Sequence, residues 1–332
     1  MKNLKKVGLT ALAGSLAAVS ANAAELSVSG GATLTYVSEE HSVVASNNGG
    51  NAFGMNNGMS FTGTGEAAGM DVTYFNTISD TGTISSSRIT LGMGDMGTVY
   101  FDQGVGGNGI TAIDDSAPIA FEEPTDGMDG AATGLAGGGA TNTFGYKNTV
   151  AGIGLAINFD PRVGDSDTSD GATDTAGTGS GSGWSALVTL PELVEGLAVR
   201  VGYGSEVIKD GTTTGNDKES AGADIKYTMG PITAGYYANS TTGGDAGTAS
   251  NEREGYGVVF SVNENLSLSY TVNDNEYGKA GSAHVTEEST GIAVAYTMGG
   301  ATLVVQQNDQ DNGGGTSGKT EERTEINLSF AF

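Results

Sequence analysis

The chain has 332 residues, with 39 acidic side chains against 14 basic ones, 56 glycines, two histidines and no cysteine. Its net charge of −25 repels phosphate backbones, which excludes a basic nucleic-acid footprint. Without cysteine there is no disulfide framework or thiolate chemistry, and His41 and His284 alone leave little material for imidazole catalysis.

Residues 1–23 read as a secretory signal peptide. Lys2, Lys5 and Lys6 form a basic start, Val7 to Val19 a short apolar run, and Ala21-Asn22-Ala23 an A-x-A cleavage site. The remainder, 24–332, reads as a single domain in which no stretch approaches the roughly 20 apolar residues of a membrane helix. Hydrophobic content is 37%, and glycine is more than twice its usual share of about 7%, so a conventional apolar interior is hard to build. Two solutions suit such a composition: a loose surface protein, or a barrel whose apolar side chains point outward into lipid.

Periodicity favours the barrel. Ile89, Leu91 and Met93 alternate with Arg88, Thr90 and Gly92; Ile153, Leu155, Ile157 and Phe159 alternate with Gly154, Ala156 and Asn158. The same spacing of two runs through Leu197 to Tyr203, Leu266 to Val272 and Ile326 to Phe332, and it is strand spacing. Short turns are expected near Ala68-Gly69, Asp95 to Gly97, Val150 to Gly152, Pro191 to Gly196, Met229 to Pro231, Asn263 to Asn265 and Met298 to Gly300. Longer polar connections are expected at 40–57, 104–142, 162–182, 206–219, 240–251, 274–286 and 309–320, with a brief one at 80–83. Short and long connections alternate strictly, which predicts an all-β fold: a 16-stranded antiparallel transmembrane barrel with both chain ends on the short-turn side. About 19 residues are available per strand and connector, enough for a span of roughly ten residues. A barrel of this size encloses an aqueous channel.

The signal segment, the 16 alternating strands, the long third loop and the terminal Phe332 together resemble a general diffusion porin over essentially the whole chain. More narrowly, the run from Arg88 to Phe101, followed by the Ile113-Asp114-Asp115 loop, is similar to alphaproteobacterial porins of the Rhodobacter type. The resemblance implies a homotrimer in the outer membrane of a Gram-negative bacterium, in contact with lipid and lipopolysaccharide, with Phe332 as the C-terminal assembly signal. It also implies that the third loop, 104–142, folds into the lumen as a constriction. That loop carries Asp114, Asp115, Glu122, Glu123, Asp126 and Asp129 and no Lys or Arg.

Acidic groups at a narrow point concentrate cations, so cation selectivity is expected for the small solutes and ions in transit. Basic partners must have inward parity, opposite to the apolar residues, and Arg88, Lys147, Arg200, Lys226, Arg253 and Arg323 meet that test. Family position favours Arg88 and Arg323 as the wall facing the loop. The chain departs from the family in having few arginines, and it lacks the Pro-Glu-Phe-Gly-Gly loop signature of enteric porins. Ile113, Ile119 and Phe121 are candidate anchors holding the loop against the wall.

No cofactor is required by this reading. Structural calcium in the acidic loops is suggested by family analogy, at Asp165, Asp167 and Asp170 or at Asp114 and Asp115, against diffuse counterion binding; no EF-hand spacing is present. Catalysis is disfavoured because no nucleophile has a base in a suggestive arrangement. The alternative function is a structural or adhesive outer-membrane barrel that displays acidic loops.

Overall fold

The computed structural model describes residues 25–42, 51–128, 135–137, 142–161, 181–207, 216–244, 248–279 and 285–332. The expected signal segment, Asp129 and the group Asp165, Asp167 and Asp170 lie outside the described residues.

The described residues form 16 strands: β1 (Glu25–His41), β2 (Phe53–Ala67), β3 (Met70–Ser79), β4 (Ile84–Gly92), β5 (Thr98–Gln103), β6 (Thr143–Val150), β7 (Ile153–Asp160), β8 (Gly183–Thr189), β9 (Leu197–Glu206), β10 (Asn216–Met229), β11 (Ile232–Gly244), β12 (Thr248–Ser261), β13 (Leu266–Lys279), β14 (Val285–Met298), β15 (Ala301–Asp311) and β16 (Thr320–Ala331). Each pairs antiparallel with its neighbours in sequence, and β1 pairs with β16, so the sheet closes on itself and has no edge.

Tight hairpins lie at one end of the barrel. Ala68 and Gly69 both take positive φ, 54° and 78°, and so do Ala151 and Gly152, at 51° and 82°. Two-residue turns of this hand match the right-handed twist of the strands they join. The closing seam reaches the last residue: the Gly30 N–H donates to the Phe332 carbonyl at 2.7 Å, and the Phe332 N–H donates to the Gly30 carbonyl at 3.0 Å. The Phe332 ring lies over Gly30, where a Cβ would stand 2.7 Å from it.

Packing is inverted relative to a water-soluble protein. Leu26, Val28, Ile89, Leu303, Val305 and Phe330 lie exposed on the outer face, whereas Asn158, Thr271, Gln306 and Asn308 are buried on the inner one. An apolar outside around a polar inside is stable where lipid is the outer solvent.

The long connections are shorter than expected. Only 245–247 separates β11 from β12, and only 280–284 separates β13 from β14. The wall continues past its apolar band because ladder hydrogen bonds do not require apolar side chains. There the outward positions become acidic and exposed, at Glu252, Glu254, Glu276, Glu288, Asp309 and Asp311. Period-two hydrophobicity fades in these stretches while the strands persist.

Candidate pore constriction

The connection between β5 and β6 turns into the barrel and is fastened to its inner wall. Asp102, fully buried at the end of β5, starts the turn by accepting the backbone N–H groups of Val105 and Gly106, both at 3.0 Å. Arg88 on the adjacent strand donates to Asp102 at 2.7 Å, to the Gly106 carbonyl at 2.9 Å and to Asn108 Oδ1 at 3.0 Å. The Asn108 amide also donates to Asp102. One ion pair thus organises the base of the loop.

A short 3-10 turn at Gly109–Ile113 follows. Its Ile110 and Ile113 are fully buried with Leu135 and Leu187, and the Ile110 N–H donates to Ser185 Oγ at 3.1 Å. Gly109 sits at φ +53°, and a Cβ there would fall 1.9 Å from Asn158 Oδ1, so both backbone shape and space require glycine. Among the expected apolar anchors Ile113 is buried, while Ile119 and Phe121 are only half-buried. Ile110, which period-two reasoning passes over, takes the other anchoring position.

The loop then crosses the inner faces of successive strands. Asn239 on β11 donates to the Asp114 carbonyl at 2.7 Å, and Arg253 on β12 pairs with the Asp114 carboxylate at 2.8 Å. Thr271 on β13 donates to the Pro118 carbonyl at 2.9 Å, and the Ala120 N–H donates to Ser269 at 3.0 Å. Gln306 on β15 donates to the Glu122 carbonyl at 2.7 Å, and Arg323 on β16 donates to the Gly127 carbonyl at 3.1 Å. On the return, the Ala136 N–H donates to Ser220 on β10 at 2.7 Å, and Asn158 on β7 donates to the Gly137 carbonyl at 3.2 Å. Polar side chains of the wall thus take up buried backbone groups of the described part of the loop, which lets it lie within the barrel.

All six basic residues singled out by parity lie on the lumen face, but they do not form a bare wall opposite the loop. Arg88, Arg253 and Arg323 grip its base, middle and tip. Arg323 also pairs with Glu39 and, at 3.0 Å, with Glu325; Arg200 pairs with Asp224. Lys147 and Arg88 flank the Tyr100 ring, their charged groups 5.3 and 4.8 Å from its centroid. Lys147 and Arg200 line a cavity of about 280 Å³ beside Gly107 and Gly109. Lys226 lies two residues from Asp224 on the same face of β10. A guanidinium in a confined lumen needs a counter-charge, and this chain supplies a carboxylate to each of these four arginines.

Loop carboxylates gather beside Arg253 and Arg323 and against one another. Glu123 lies against Asp115 and Glu122 against Asp126, so carboxyl groups meet one another. Burial, followed by repulsion from Glu325 and Asp126, pushes Glu122 up to about 7. Burial raises Asp114 to about 6 even against the attraction of Arg253, and burial with the Asp115 charge pushes Glu123 upward as well.

Tyr100, Asp102, Asn108, Asn158, Ser185, Ser269, Thr271 and Gln306 complete the arrangement, and no motif in the sequence marks them as holding the loop. The signal available for the strand residues among them was inward parity, shared with every lumen-facing position.

No family model matches the chain, and no curated protein matches it in sequence. Solved structures match in fold. The Salmonella typhi OmpF complex with daunomycin shares 13% identity at a TM-score of 0.67, over 92% of this chain and 97% of that one. An anion-selective porin from Comamonas acidovorans shares 12% identity at a TM-score of 0.67, over 93% of this chain and 100% of that one. The outer membrane channel DcaP of Acinetobacter baumannii shares 13% identity at a TM-score of 0.62, over 93% and 97%. The protein therefore has the 16-stranded barrel fold of outer-membrane porins.

Proposed function

We propose that the protein is an outer-membrane porin that passes small hydrophilic solutes and ions by passive diffusion and prefers cations. The observation that carries this reading is the acidic loop seated inside a closed polar-lined barrel. Its fastenings come from β4 and from the side of the barrel running from β7 through β16. The inner faces of β1 to β3 stand across the lumen, with Thr33, Thr35, Ser60, Thr62 and Thr77 at inward register positions. A 16-stranded barrel has room for water between them.

Cation preference follows from the charge arrangement. Arg88, Arg200, Arg253 and Arg323 face Asp102, Asp224, Asp114, Glu39 and Glu325, which offsets their charge. Asp115 and Asp126, with the ionised share of Glu122 and Glu123, add negative charge to the loop, against only Lys147 beside its start and Lys226 in reach of Asp115. An anion-selective porin shares the fold, so selectivity is set by such side chains and not by the barrel.

A homotrimer suits the outer face near the seam. Gly30, Ala32, Asn57 and Asn76 occupy outward register positions on β1 to β3, where bulky apolar residues would meet lipid; Asn76 is buried. The narrower kinship with Rhodobacter-type porins rests on the run from Arg88 to Phe101 and the loop after it.

Reversal potential in a planar bilayer under a potassium chloride gradient tests the function, comparing wild type with D115N/E122Q/E123Q/D126N. Cation-selective conductance that moves toward neutrality in the variant is expected. Insertion without conductance sinks the channel and favours the display barrel; unchanged selectivity moves the filter elsewhere.

A further inference from the structure

At the long-loop end of the closing seam, β1 and β16 bring Glu39, His41 and Glu321 together. Glu39 and His41 are two residues apart on one strand, so their side chains share a face, and Glu321 is the register partner of His41. One potential ligand atom from each lies within 4.8 Å of the others. His41 Nδ1 stands 3.5 Å from Glu321 Oε2, and Nε2 stands 3.6 Å from Glu39 Oε2. The three side chains are only 10, 8 and 2% exposed for His41, Glu39 and Glu321. Both imidazole nitrogens are shut off from solvent, and neither makes a hydrogen bond. The imidazole is thus nine-tenths buried, aimed at two carboxylates and unsatisfied at both polar atoms.

We propose that Glu39, His41 and Glu321 form a binding site for a divalent cation of the zinc class. The donor set selects the metal: calcium and magnesium prefer oxygen ligands throughout, whereas an imidazole with carboxylates suits zinc, nickel or copper. Three protein ligands leave the fourth tetrahedral position to water. Bond lengths near 2.1 Å require ligand atoms about 3.4 Å apart, so one imidazole nitrogen would bind the ion and side-chain rotation would bring both carboxylates to it while the seam's backbone pairing stays fixed. Arg323 takes Oε1 of Glu39 and leaves Oε2 directed at the imidazole. An ion here would tie β1 to β16, two residues from the arginine that grips the loop tip. The site needs only the folded barrel, so it stands independently of the channel function.

Calorimetric titration of the folded, detergent-solubilised protein with zinc chloride tests it, with H41N and E321Q as variants and heat-shifted gel migration confirming that each is folded. Glu39 is left intact because it also holds Arg323. One saturable event per chain is expected in wild type, at least tenfold weaker in either variant and not displaced by excess calcium. X-ray absorption of the zinc-loaded wild type should show one imidazole nitrogen among oxygen ligands, a readout that requires no variant. Absence of saturable zinc binding, equal binding by H41N, or a zinc shell without nitrogen overturns the proposal. His41 would then simply bridge the two carboxylates with no ion between them.

Discussion

Replacing Gly257 by alanine tests whether the lumen loop is seated by the wall. A Cβ at this position on β12 would stand 2.2 Å from the Pro118 carbonyl oxygen and 3.0 Å from Thr271 Oγ1. The obstructing atom is backbone, and relieving the overlap requires the loop to lift by about 1 Å. That movement also strains the 2.9 Å hydrogen bond from Thr271 to the same carbonyl. Overpacking costs about 1–3 kcal/mol and the lost hydrogen bond about 1 kcal/mol, so G257A should destabilise the loop seat by about 2–4 kcal/mol. The barrel ladder is untouched, and heat-shifted gel migration should remain that of wild type. Single-channel recordings should show noisier openings of larger conductance, and proteolysis should cut within 104–142 more readily. Gly54→Ala is the control, because Gly54 also has inward parity and nothing lies within 4 Å of its Cβ position. If G257A and G54A behave alike in conductance, noise and proteolysis, wall glycines do not seat the loop and the reasoning fails.

Cation preference should depend on pH. Burial pushes Glu122 up to about 7 and Asp114 up to about 6, so lowering the pH from 8 to 5 should remove loop charge and move the reversal potential toward neutrality; a flat profile contradicts it. The same raised values mean that the seated loop retains protons that a released, solvated loop has lost, so seating weakens as pH rises between about 4.5 and 7. Protease susceptibility of the loop should rise across that window. Arg253→Met leaves the Asp114 carboxylate, 20% exposed, without its partner and should loosen the loop by about 3 kcal/mol. Adding D114N should recover most of that loss in the same proteolysis assay; an additive double mutant refutes the coupling. Ile110→Ala opens a cavity at a fully buried anchor and should weaken the seat by about 2–4 kcal/mol, read from the same cleavage rates.

Strand order was legible because membrane barrels expose their hydrophobic pattern twice, in the period along each strand and in the alternation of turn lengths. Ile153 to Phe159 and Ile326 to Phe332 announce their outward faces without reference to any partner. Strand ends were less legible: Glu252 and Glu254 continue the outward row of Tyr256 and Val258 but carry no apolar signal. The inward parity of Arg88, Arg253 and Arg323 could be read, since register fixes the side a residue occupies. Their grip on the loop could not, because pairing depends on where residues 104–128 travel once inside. Ser269, Thr271 and Gln306 look like any lumen-facing polar residue until the loop's carbonyls and N–H groups arrive beside them.

The high glycine content then acquires a structural reason beyond turns. A loop pressed flat on the inner face of a sheet must fit where side chains would normally stand. Gly235 and Gly257 clear the space for Pro118, with Cβ positions 2.8 Å from its ring and 2.2 Å from its carbonyl oxygen. Gly291 does the same for Pro124, whose ring lies 3.0 Å from the Cβ position. Each glycine sacrifices strand stability on its own, by up to about 1 kcal/mol relative to alanine. In exchange the loop approaches closely enough for Asn239, Thr271, Ser269 and Gln306 to reach its backbone. Glycine on the wall and short polar residues beside it therefore form one device, and that device determines how far the acidic loop projects into the channel.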